Sequence, residues 1–353
     1  MCCDDADVPA SAGTLTPGWF RRGLIIPRAG AGEGSEVVGD PCIVWDDEIR
    51  SWRMILFYSP PGAGEAVCAT PDDPGPGQWR ILGPLKFTNP SALAGGFTHK
   101  PFVVLDARRP NRAARVDGRF WLLCVSSKGR SKVVQRAWSE KLAGPWTVEE
   151  GILIDTGGPG AFDEKHVDAV TGFWFEDRDE FLYFYMGYPR VAQSRAVSPY
   201  GSASAAAVQK RDGRTVAKLG IVLSPCPERG HWAAGWIGGL QLLPGRGGHR
   251  WEAVVNAYPT APVPEDASVA REEPAPSLGG FAHCEEAWPV AGWTFAPEPI
   301  EWIDRIPAEA VRNGEGTNLW RQHVLVLPDG RYALYYNSGF YGREQLYMKE
   351  MAG

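Results

Sequence analysis

Cys42-Ile-Val-Trp45, Asp46-Asp47-Glu48 and Trp52-Arg-Met-Ile-Leu-Phe-Tyr-Ser59 read as a β-strand, a polar turn and a second β-strand. β-Branched and aromatic residues fill the two runs, and the acidic residues between them suit a turn. The same pattern returns four times. Its second strands are Phe120–Ser127, Phe181–Tyr188, Trp251–Tyr258 and Tyr332–Gly339, each opening on an aromatic residue. Polar turns precede them at Asp117-Gly118, Asp177-Arg178-Asp179, Gly245-Arg246-Gly247-Gly248 and Asp329-Gly330. First strands precede the turns at Phe102–Leu105, Ala169–Phe175, Ile237–Leu243 and Gln322–Leu327. The anchors at 52, 120, 181, 251 and 332 lie 68, 61, 70 and 81 residues apart. A repeat of that length marks an array of like units.

Further short strands occupy the space between hairpins. Ala66–Thr70 precedes Trp79-Arg-Ile-Leu, Val133–Ser139 precedes Ala143-Gly-Pro-Trp-Thr147, and Phe281–Glu285 precedes Ala291-Gly-Trp-Thr-Phe295. Tyr200–Ser224 supplies the outer pair of the third unit, and the Pro- and acid-rich Val263–Ser277 reads as a solvent loop. Four strands per unit, arranged radially, leave only short protected sheet edges. The expected fold is therefore all-β, a single five-bladed β-propeller over 1–353 with a central funnel. Its blades lie near 37–95, 96–160, 161–225, 230–298 and 315–353. A strand at 18–27 closes the ring against the last blade. A β-sandwich would not require this repeat.

Composition agrees. The 42 Gly and 30 Pro call for many turns, and 15 Trp is a heavy investment in large rings with a polar edge. A net charge of −6 argues against a nucleic-acid partner, and no apolar run is long enough for a membrane-spanning helix. Met1-Cys2-Cys3-Asp4-Asp5 has neither a basic nor an apolar leader segment. Seven Cys without a CxxC spacing suggest reduced, mostly buried thiols in the cytoplasm.

In a propeller the innermost strands line the funnel, so residues at their starts face its mouth. These are Asp40-Pro41, His99-Lys100-Pro101, Glu164–Asp168, Trp232–Trp236 and Asn318–His323. Asp40 and Asp168 come from blades expected to face each other. Glycoside cleavage uses such a pair, one carboxyl protonated at the leaving oxygen and one carboxylate opposite. Proximity to Lys100 would keep Asp40 ionised, and burial would raise Asp168 toward proton donation. Glu315, just ahead of blade five, is a reserve acid. His99, Lys100, His166, Arg321 and His323 are candidates to hydrogen-bond substrate hydroxyls, and Trp232, Trp236 and Trp320 to stack on a sugar face. The competing roles are turn hydrogen bonding for the Asp residues and blade packing for each Trp. Three His match a metal-site count, but no HxH or HExxH spacing accompanies them.

The opening Asp40-Pro-Cys-Ile-Val, the Ala143-Gly-Pro-Trp-Thr147 segment and hairpins ending in Phe-Tyr-Ser or Tyr-Tyr-Asn-Ser resemble the five-bladed glycoside hydrolases. These comprise the arabinanase/β-xylosidase group and its invertase/levansucrase relatives. The resemblance implies a small carbohydrate or glycoside substrate, Asp40 as base or nucleophile, and Asp168 nearest the place of the blade-three acid. It implies no required cofactor, with a calcium ion on the axis near His323 as an accessory. The chain departs from the pattern in blade two, where Lys100-Pro101 replaces a carboxylate, and in blade three, where Asp stands for Glu. A lyase or cyclase acting on a small molecule, or a non-catalytic carbohydrate-binding propeller, are the alternatives on the same scaffold.

Overall fold

The computed structural model describes residues 18–28, 36–59, 62–96, 98–189, 202–213, 215–228, 230–259, 277–302, 315, 319–339 and 342–352. The loop expected at Val263–Ser277 lies outside these apart from Ser277, as do Cys2 and Cys3. The chain enters through β1 (Trp19–Ile26) and lays down blade one as β2 (Val37–Asp46), β3 (Ser51–Ser59), β4 (Gly62–Cys68) and β5 (Trp79–Pro84). Blade two opens on β6 (His99–Val103). A short ribbon, β7 (Leu105–Asp106) and β8 (Arg109–Ala113), then intervenes before β9 (Phe120–Lys128), β10 (Ser131–Ser139) and β11 (Thr147–Val148). Blade three is β12 (His166–Phe175), β13 (Glu180–Tyr188), β14 (Ala203–Lys210) and β15 (Ala217–Leu223). Blade four is β16 (Trp236–Pro244), β17 (Trp251–Tyr258), β18 (Leu278–Cys284) and β19 (Trp293–Pro299). Blade five is β20 (Trp320–Val326), β21 (Tyr332–Ser338) and β22 (Gln345–Met351), completed by β1 on its outer edge. Strands within each blade are antiparallel, and no α-helix occurs among the described residues.

The burial of each strand explains its composition. β3 lies between neighbouring blades and is buried along nearly all its length, so it reads as a continuous apolar run. β5 alternates between half-buried and exposed positions, the mark of an edge strand with one wet face. All five aromatic anchors fall at or next to the start of a second strand. Closure is by the N-terminal strand: Trp19 pairs with Met351 and Ile26 with Leu346. Cys42, Cys68, Cys124 and Cys284 are free and buried, and burial pushes the Cys42 and Cys124 thiols up to about 12.

Two details differ from the sequence reading. Leu105 does not end the first strand of blade two. It turns into the ribbon and pairs in parallel with Phe173 of blade three. From there Asn111 reaches blade five, donating to the Val326 carbonyl at 2.6 Å and accepting from the Val326 amide at 3.0 Å. The ribbon thus spans the end of the axis away from the strand starts, leaving the funnel mouth at the opposite end. The fourth strand of blade two is also confined to Thr147–Val148, because the chain turns at Lys141–Gly144 and Trp146 bridges to Phe87 instead.

Candidate active site at the propeller mouth

Each of the five inner strands breaks its pairing at the same place. The register slips between Gly39 and Cys42, His99 and Phe102, Asp168 and Thr171, Ile237 and Leu240, and Trp320 and His323. The first residue inside the slip has a positive φ in four blades: Asp40 (52°), Lys100 (49°), Ala169 (47°) and Arg321 (46°). Blade four places Gly238-Gly239 there. Such a backbone costs about 1–3 kcal/mol for a non-glycine residue and is kept where surrounding structure enforces it. The bulge re-aims these side chains at the strand starts and bends each strand at the mouth.

The bulges are satisfied by neighbours. Arg321 of blade five crosses to blade three and donates to the Ala169 and Val170 carbonyls at 2.9 and 2.6 Å. A Cβ on Gly239 would lie 3.1 Å from its Nη1, so the glycine makes room for the guanidinium. Asn337 accepts from the Asp40 amide at 3.0 Å and donates to Asp40 Oδ1 at 3.3 Å. The Arg321 floor lies in the field of both Asp40 and Asp168.

Above that floor the structure brings together Asp40, His99, Lys100, Asp168 and His166. His99 Nε2 stands 3.4 Å from Asp40 Oδ2, and its ring packs on Phe57 with centroids 4.4 Å apart. Burial, opposed in part by Asp40, lowers the His99 imidazole to about 4, so it is neutral near pH 7. Asp168 is 1% exposed. Its Oδ1 meets Lys100 Nζ at 2.9 Å and the Ala169 amide at 2.7 Å, and its Oδ2 meets Lys132 Nζ at 2.7 Å. Burial alone would push this carboxyl up. Lys100 and Lys132 outweigh it and hold the carboxyl well below the usual carboxylate range. The expectation that burial makes Asp168 a proton donor is therefore reversed, and Lys100 pairs with Asp168 in place of Asp40. Burial also lowers the Lys100 ammonium, with Asp168 opposing. His166 Nδ1 accepts from the Lys132 amide at 3.2 Å, and burial lowers it to about 4.

Partly exposed rings continue this cluster around the rim. His166 meets Tyr188 edge-on at 5.8 Å, Tyr188 meets Trp236 at 5.8 Å, and Trp236 meets Tyr258 at 6.1 Å. Trp320 Nε1 then donates to Tyr258 Oη at 2.9 Å. Blades three, four and five thus share one aromatic arc.

Three expected residues lie elsewhere. Trp232 is fully buried, donates to the Ala296 carbonyl at 2.8 Å and packs against Phe295 inside blade four, so no face is left for a sugar. Glu315 belongs to the seam closed by β1, where Arg21, Tyr336 and Lys349 hold it. Burial raises its pKa, but Lys349 and Arg21 prevail and lower it. His323 is wholly buried below the mouth, bonded through Nε2 to the Ile43 backbone and lowered by burial to about 3. Calcium takes oxygen ligands. His323 is surrounded by the Ile43 backbone, the Phe102 ring and the Arg321 charge, a poor fit to that ion. No cluster of three or more His, Cys, Asp or Glu suited to a metal occurs among the described residues.

Two mouth residues lay outside the sequence reading. Lys132 starts the third strand of blade two, and Glu344 sits in the polar turn before β22. Neither precedes a first strand, the only position the repeat singled out. A separate groove of about 910 Å³, lined by His231, Trp293, Phe295 and Trp302, lies at the outer side of blade four. It holds none of the buried charges, which converge at the mouth.

No family model and no curated protein sequence matches the chain. Solved structures do match its fold. One described as a glycoside hydrolase superposes with a TM-score of 0.68 at 14% identity, over 95% of this chain and 92% of that one. An endo-arabinase from Bacteroides thetaiotaomicron gives 0.59 at 12% identity, over 93% and 96%. An α-L-arabinofuranosidase from Lactobacillus brevis gives 0.55 at 12% identity, over 92% and 94%. The fold is thus the five-bladed propeller found in these glycoside hydrolases, carried by a widely diverged sequence.

Proposed function

We propose that the chain is a glycoside-cleaving enzyme that takes a small glycoside or oligosaccharide in the propeller mouth. The observation that carries this reading is the convergence of buried Asp40 with His99, Lys100 and Asp168 beside an arc of partly exposed aromatic rings. An apolar sugar face suits Trp236 and Trp320, while Lys100, Lys132 and the neutral imidazoles offer donors to hydroxyls. Asp40 acts as the base that takes a proton from the attacking water. Asp168 is a positioning residue, an anion that fixes the two lysine ammonium groups. The similarity in fold to an endo-arabinase and an α-L-arabinofuranosidase makes pentose glycosides the first substrates to try.

The test is turnover of aryl arabinosides, xylosides, fructosides and galactosides by the natural protein and by Asp40→Asn. The expected outcome is measurable hydrolysis that falls by roughly a hundredfold or more in the variant, with sugar affinity retained. Sugar binding without turnover in the natural protein would identify a non-catalytic carbohydrate-binding propeller. Conversion without incorporation of water would point to a lyase or cyclase.

A further inference from the structure

Asp168, pinned by two lysines, leaves the mouth without a proton donor among the carboxyls considered above. We propose that Glu344 holds that proton and delivers it to the leaving group, with Asp40 as its partner base. This rests on the glycoside-cleaving reading. The turn before β22 emerges at the mouth, where the Glu344 carbonyl accepts from the Val38 amide at 3.0 Å, two residues ahead of Asp40. Glu344 is 7% exposed, a little more than Asp40 at 4%. Its Oε2 is buried and meets no hydrogen-bond partner among the described residues. Ionising the carboxyl would put charge on that oxygen with no donor among the described residues to replace its hydration. A protonated carboxyl aimed at a bound oxygen would not.

The surrounding charges point the same way. Burial is the main influence and raises the Glu344 carboxyl. The Asp40 charge adds to it, while the Glu344 and Gly342 amides and Lys100 of blade two act against it. Asp40 of blade one and Lys100 of blade two are the charged side chains that act on it. Two mouth carboxyls are thus driven apart, Asp168 downward and Glu344 upward, the pattern by which one site separates an anion from an acid.

In the step itself, the Glu344 O–H proton passes to the glycosidic oxygen as the bond from that oxygen to the anomeric carbon breaks. Water forms the new bond to that carbon and gives a proton to Asp40. Glu344 ends as a carboxylate and Asp40 as an acid, and solvent exchange restores both.

The experiment compares Glu344→Gln with the natural protein on one glycone carrying either a dinitrophenyl or an alkyl leaving group. The dinitrophenolate needs no protonation, whereas an alkoxide does. Glu344→Gln should lose roughly a hundredfold or more on the alkyl glycoside, keep most of its rate on the dinitrophenyl one, and lose the alkaline limb of the pH profile. A merely structural role would lower both rates together. Equal losses on both, or no loss on either, would overturn the proposal. If the natural protein cleaves neither substrate, the glycoside reading itself fails. Difference infrared spectroscopy at pH 7 then reads Glu344 directly: absence of a protonated-carboxyl band that Glu344→Gln removes would overturn the assignment of the proton.

Discussion

Two of the buried charge clusters contrast, one at the mouth and one at the seam where β1 closes the ring. At the seam, Arg21 bridges Glu301 and Glu315, and Lys349 meets the same two carboxyls at 3.2 and 3.5 Å. The Tyr336 hydroxyl donates to Glu315 at 2.5 Å. Every charge there is covered by strands, and the most open, the Arg21 side chain, is 13% exposed. At the mouth the anions are as deeply buried, but their cationic partners open outward: Lys100 is 18% and Lys132 37% exposed. A cluster closed on all sides can only hold the fold. One whose cations reach solvent can also meet a ligand.

Neutralising one carboxyl in each cluster separates these roles. Glu315→Gln strips an anion from two buried cations and should cost about 3–5 kcal/mol in urea unfolding, with turnover per folded molecule unchanged. Asp168→Asn should destabilise less, about 1–3 kcal/mol, because its lysines can turn to water. It should still depress turnover and change the KM for sugar. Equal stability losses, or a kinetic effect from the seam variant, would erase the distinction.

A smaller effect concerns acid. His99 and His166 sit near 4 in the fold against an ordinary 6.5. Between those values the unfolded chain binds more protons, so stability is fully present above about 6.5 and declines as pH falls toward 4. Asp168, lowered by its lysines once burial is overcome, extends the loss below its ordinary 3.8. The Tm should fall steadily on acidification. His166→Asn, whose side-chain carbonyl can still accept from the Lys132 amide, should flatten part of that slope. An unchanged slope would show that His166 does not contribute to the acid sensitivity.

The sequence made the architecture legible because the repeat lies in strand centres, where burial on both faces demands apolar β-formers. Trp52, Phe120, Phe181, Trp251 and Tyr332 mark their strands for that reason, and the closing strand was legible as the missing edge of blade five. The mouth was only partly legible. The repeat singled out the strand starts and so found Asp40, His99, Lys100, Asp168 and Arg321. It did not reveal the two-residue bulges that decide which way each side chain points. Nor could it find Lys132 or Glu344, which arrive from a third strand and a turn. Trp232 and Glu315 were misplaced for a related reason: neighbouring position along the chain does not tell whether a side chain turns to the axis, into a blade or onto the seam.

Sugar binding at the mouth underlies every role proposed above. It is read most directly from a crystal structure of Asp40→Asn soaked with arabinose- and xylose-based oligosaccharides. In that crystal a sugar ring should lie beside residue 40 and His99, with a face against Trp236 or Trp320. A sugar held only in the outer groove between Trp293 and Trp302, with the mouth empty, would contradict it.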